Sequence, residues 1–152
     1  MIKYAFPLAL LLAGCGDGPA LPDLKPTDGW ARETVPGQTS AAAYLTVINN
    51  GTGADRLIAV SSDSAANAMV HSTTTSNHGV SRMRHLGDGL AIPAKTAVEL
   101  SPGRTHIMLT GLKQPLRRGQ KLTLDLRFEQ SGTRRAMVKV LDPASAGLQE
   151  AR

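Results

Sequence analysis

The chain has 152 residues, of which 41% are hydrophobic, 19% charged and 3% aromatic, with a formal net charge of +5. That is about one domain's length with enough apolar material for one core, which excludes wholesale disorder. The single cysteine excludes an intramolecular disulfide, a Cys-rich zinc site and a Cys-x-x-Cys redox centre, and the few aromatics argue against a base-stacking platform for nucleic acid.

Residues 1–14, MIKYAFPLALLLAG, have the three-part layout of a secretory signal: Lys3, a compact apolar stretch, then small residues. The apolar stretch is too short to span a bilayer, which needs about 20 residues. Cys15 follows Leu12-Ala13-Gly14, which resembles the bacterial lipobox. Cleavage before Cys15 and acylation of its thiol would anchor the protein stably, since lasting attachment takes two or more lipid chains. Gly16 stands where an Asp would signal retention in the inner membrane, so the choice between inner and outer membrane stays open. Residues 15–29 are rich in Pro, Gly and Asp without periodicity, and are expected to form a flexible tether. Ordered structure is expected from Trp30.

Short apolar or alternating runs separated by turn residues occupy 30–142. Candidate strands are Ala42–Ile48, Arg56–Val60, Ala68–Ser72, Val80–Arg84, Ala97–Leu100, Thr105–Thr110, Lys121–Phe128 and Arg135–Val140. Their regular spacing, with no helical stripe competing, predicts an all-β domain: a single Greek-key β-sandwich or barrel of seven to eight strands. In Lys121–Phe128, Leu122, Leu124, Leu126 and Phe128 alternate with polar residues, so one face is predicted buried; Ala136, Val138 and Val140 repeat the pattern. Residues 143–152 read as a short polar tail. The basic residues are scattered as Arg82/Arg84, Arg117/Arg118/Lys121 and Arg134/Arg135, which gives no dense nucleic-acid patch.

The histidines and methionines carry the chemistry. In Thr105–Thr110, His106 and Met108 share one face while Ile107 and Leu109 take the other. At i and i+2 their Cα atoms lie about 6–7 Å apart, a workable spacing for two ligands of one ion. Met69 and His71 repeat the arrangement, and Met83 precedes His85 by two. A thioether is soft and uncharged; with imidazole it favours copper, Cu(I) above all, over Mg, Ca or Mn. Outside the cytoplasm such a set also avoids the oxidation that threatens thiolate pairs. Methionine is equally a common core filler, so the spacing leaves both readings open. No nucleophile–His–Asp or paired-carboxylate constellation appears, so the chain does not read as an enzyme. A blue-copper electron carrier would need a cysteine ligand, and Cys15 is spent at the N-terminus.

Further stretches carry a resemblance. They are Trp30-Ala31-Arg32, Ala43 through Gly51, Ala54-Asp55-Arg56-Leu57, Val70-His71, Met83-Arg84 and Ile92-Pro93-Ala94, and above all Pro102-Gly103 through His106-Ile107-Met108-Leu109 to Leu116 and Gly119. From about Gly29 to Val140 the chain resembles the periplasmic copper chaperones called PCu(A)C, cupredoxin-like β-sandwich proteins. The family's copper motif falls on His71, Met83, His106 and Met108. The resemblance implies that these four bind Cu(I) in a shallow, exposed site, expected on one rim of the sandwich. It further implies delivery to the CuA centre of cytochrome oxidase subunit II or a related haem-copper oxidase, in the bacterial periplasm. Accessory methionines common in the family are replaced by Ser72 and Ser81, the Met83–His106 segment is one residue longer than usual, and His85 stands where Pro is typical. His78, His85 and Met69 are candidate accessory ligands, with the imidazoles suited to Cu(II). The protein is expected to be a lipid-anchored monomer with no nucleic-acid partner. Copper storage or resistance, or a structural or adhesive lipoprotein without metal, are the alternative readings.

Overall fold

A computed structural model describes residues 19–150. The elements in chain order are β1 (Leu24–Pro26), β2 (Gly29–Arg32), β3 (Ser40–Asn49), β4 (Asp55–Ser62), β5 (Ala65–Thr75), β6 (Ser81–His85), β7 (Leu90–Ile92), β8 (Thr96–Leu100), β9 (Thr105–Leu112), β10 (Lys121–Phe128), β11 (Gly132–Leu141) and α1 (Pro143–Glu150). Seven strands run β5-β9-β3-β2-β11-β10-β4, and a pairing of β4 with β5 closes them into a barrel. β6 and β7 extend the path at its two ends, and β1 and β8 pair with β3. The all-β expectation holds, with a seven-stranded barrel and four short strands added to it.

Alternation builds the core. Leu122, Leu124, Leu126 and Phe128 of β10 point inward, as do Ala136, Val138 and Val140 of β11. β10 and β11 pair along eight consecutive positions. Ala41, Ala43, Leu45 and Val47 of β3, with Ile107 and Leu109 of β9, complete the interior. β3 serves two sheets. Ser40 to Ala43 pair with β9, and Leu45 to Asn49 pair with β8. Asn49 at its end is buried, and its amide donates to the carbonyls of Gly53, Ile92 and Pro93 while its Oδ1 accepts from Asp23 and Gly51. A buried amide with its donors and acceptor all used fixes the surrounding loops.

The chain ends differ from the sequence reading. The described part of the expected tether, residues 19–29, is not loose: Leu24 is buried and β1 pairs with Val47, Ile48 and Asn49. Its backbone passes so close to Gly51 and Gly53 that a side chain at either would strike residues 20–23. The expected tail instead holds α1. Asp142 caps it by accepting from the N–H groups of Ala144 and Ser145, Pro143 occupies the first turn, and Ala146 is buried beneath. Cys15 lies outside the described residues.

Candidate metal centre

β5, β6 and β9 are neighbours, and their pairing register assembles the site. His71 of β5 stands opposite His106 of β9 on one side and His85 of β6 on the other. Directly opposed residues project from the same face. Val70, Ile107 and Leu109 point into the barrel, so the imidazoles stand on its outer face. The His71 and His106 ring centroids are 6.0 Å apart, and those of His71 and His85 are 5.8 Å apart.

The row continues through two aromatics. Tyr44 lies 6.4 Å from His106, and Trp30 4.5 Å from Tyr44. Neither was singled out as a site residue from sequence. Alternation places Tyr44 outward, but only the β3–β9 register reveals that it meets His106. With Tyr44 and His71 on either side, His106 is 4% exposed although it sits on the outer face. The site is therefore less open at its centre than the resemblance implies, and it occupies a barrel face rather than a rim.

The ring nitrogens are arranged for ligation. Nδ1 of His106 lies 3.1 Å from the Arg104 carbonyl oxygen, which in the protonated-Nδ1 tautomer leaves Nε2 with a bare lone pair. Nδ1 of His71 is buried and has no hydrogen-bond partner. Burial, then the neighbouring His106 and His85, hold the His71 pKa below its ordinary value. At neutral pH His71 is thus the free base, the form that binds metal. β5, β6 and β9 contain no Asp or Glu, whereas Arg82, Arg84 and Arg104 are exposed around them. A hard dication such as Mg²⁺ or Ca²⁺ would find no carboxylate ligand on these strands. The soft, neutral donors suit a monovalent soft ion.

The methionines divide. Met108 follows His106 on the same face and stands opposite Met69, both half-buried. Met83 is 52% exposed and stands opposite Thr73 of β5, on the other side of the histidine row. Met83 and Met108 are two strand spacings and four residues apart in register, about 17 Å between Cα atoms in an ideal sheet. Either lies close enough to join the His71–His106 pair, but as the strands stand both do not reach one ion. β6 has β5 as its single partner strand and all five of its residues are exposed, so it can bend without disturbing the core. His78 sits in the turn between β5 and β6, exposed and away from the row.

A closed barrel with paired histidines and nearby thioethers on its outer face defines this chain as a PCuAC-type domain. The apo PCuAC domain of PmoF1 superposes with a TM-score of 0.65 at 27% identity, covering 79% of this chain and 94% of that domain. The copper-bound PCuAC domain of PmoF2 matches at 0.64 and 25% identity, covering 79% and 93%. Cu(I)-loaded DR1885 of Deinococcus radiodurans matches at 0.62 and 26%, covering 92% and 87%. The chain belongs to the LpqE-like family of presumed lipoproteins, whose model matches residues 24–140. The presumed lipoprotein Lxx21020 of Leifsonia xyli subsp. xyli is 38% identical over 117 residues, 77% of this chain and 69% of its own length.

Proposed function

We propose that the protein is a lipid-anchored copper chaperone that carries Cu(I) on the outer face of β5, β6 and β9. The observation that carries the reading is the His71–His106 pair, with one ring tied back to a carbonyl, the other holding a buried unpartnered nitrogen, and Met108 alongside. Two solved relatives hold copper, one of them as Cu(I). His71 and His106 supply the nitrogen ligands and Met108 a thioether. Met83 supplies the second thioether when β6 bends toward β9. Neutral ligands bind copper less tightly than thiolates and release it by stepwise exchange. The exposed Met83 edge is where an acceptor's ligands would enter. Anchoring through Cys15 places the domain in the periplasm, facing membrane-bound acceptors such as subunit II of a haem-copper oxidase.

Competition titration with Cu(I) tests the metal site. The wild-type chain should bind one equivalent, and the triple variant Met83→Ala, His106→Ala, Met108→Ala should lose it. Unchanged stoichiometric binding by the variant would overturn the reading. Mixing the copper-loaded protein with apo oxidase subunit II, and following where the metal resides, tests delivery.

A further inference from the structure

We infer that His85 converts the site into a three-imidazole centre for Cu(II), distinct from the His/Met set that holds Cu(I). The inference rests on the copper reading above and extends it to the second oxidation state. His71 is the middle of the row, opposed by His106 and His85 at nearly equal ring distances of 6.0 and 5.8 Å. Both ring pairs are edge-on, with interplanar angles of 73° and 70°, so neither is a face-to-face stack that would block the ring nitrogens. The outer two Cα atoms are two strand spacings apart, about 10 Å, a span that two imidazoles and an intervening ion can bridge.

Among the described residues no three His, Cys or carboxylate side chains already converge on one point. The required movement falls on His85. It is exposed on a strand with one neighbour, so turning its ring toward His71 breaks no core contact. The other two rings already face each other: His106 is held by the Arg104 carbonyl, and His71 is half-buried with its Nδ1 covered and unpartnered. Imidazole suits Cu(II) and thioether suits Cu(I). A row of three imidazoles flanked by methionines therefore offers overlapping ligand sets, sharing His71 and His106 and differing in whether His85 or a thioether completes the sphere.

The test is Cu(II) and Cu(I) titration of the full chain, wild type against His85→Ala, with His78→Ala as control. Pulsed EPR of the Cu(II) forms counts coordinated imidazoles. The expected result is three imidazoles in the wild type and in His78→Ala, and two in His85→Ala. Cu(II) affinity should fall at least tenfold in His85→Ala, with Cu(I) affinity changed less than twofold. Equal Cu(II) affinity and equal imidazole count in wild type and His85→Ala would overturn the inference, as would loss on His78→Ala instead. Failure of the wild-type chain to bind Cu(I) would overturn the chaperone reading by itself and leave the imidazole count to decide this one.

Discussion

Two hairpins of this barrel have the same design and opposite burial. β10–β11 pairs along eight positions and buries Leu122, Leu124, Leu126, Phe128, Ala136, Val138 and Val140. β5–β6 pairs along five positions, and every residue of β6 is exposed. β10 is further clasped by β4, whereas β6 has nothing on its outer edge. The strand behind the site is held unevenly: β5 pairs with β9 from Ala65 to Ser72 but meets β4 at Val60 and Ala68 alone. Cohesion thus concentrates in β10–β11, while the candidate ligands are shared between the β5–β6 hairpin (His71 and Met83) and the well-packed strand β9 (His106 and Met108). A carrier that must release its cargo benefits from having some ligands on the less packed hairpin, since exchange needs movement that a packed core resists.

The comparison breaks first on the packed side. Leu124 is fully buried, and Leu124→Ala removes its contacts and leaves a cavity, costing about 2–5 kcal/mol. Chemical denaturation should show the unfolding free energy falling by that amount, while Cu(I) affinity measured well below the transition stays within twofold. If the affinity fell along with the stability, the two hairpins would be one cooperative unit with respect to function.

A smaller effect sits where β4 meets the β10–β11 turn. Asp55 is buried and accepts from the N–H groups of Arg56, Gln130 and Ser131 and from the Ser131 hydroxyl. Burial alone would raise its pKa. The hydrogen bonds, Ser131's hydroxyl foremost, outweigh burial and hold it below the ordinary carboxylate value. The unfolded chain therefore takes up this proton first as pH falls. The stability Asp55 contributes is complete above about pH 4 and is lost as pH drops through the lower folded value. Asp55→Ala takes this acceptor from the three part-buried N–H groups of Arg56, Gln130 and Ser131, a cost of about 1–3 kcal/mol at neutral pH. The gap between variant and wild type should narrow below about pH 4. A gap constant down to pH 2 would refute the assignment.

The same contrast decides what could be seen in the sequence. β10 was legible to the residue because strict alternation marks a half-buried strand, and its bounds match Lys121–Phe128. β1, β2 and β7 are three or four residues long, too short for alternation to register, and β1 ends on a proline. α1 spans eight residues, less than three turns, yet its Asp142-Pro143 start is a helix signal that a reading of 143–152 as tail passed over. For the site, alternation gave the face of each ligand but not the register between strands. That His71 meets both His106 and His85, and that Met83 falls opposite Thr73, depends on how β6 and β9 slide along β5. No local pattern in any one strand encodes that offset.

The finest test of the contrast is Met83→Leu. Leucine keeps the apolar volume and removes the sulfur, and the residue is exposed on an edge strand. Its effect on stability should stay within about 0.5 kcal/mol, the range of surface substitutions. If β6 bends to bring the Met83 thioether onto copper, Cu(I) affinity should fall about tenfold, equivalent to about 1.4 kcal/mol. Amide hydrogen exchange in 81–85 gives an independent readout. In the wild type, Cu(I) should slow exchange across β6, because the strand is drawn against β9 and held there. In Met83→Leu that protection should disappear while protection around His106 remains. Copper-induced protection of β6 that survives in Met83→Leu would mean that another β6 residue draws the strand in, and His85 is the one aligned to do so.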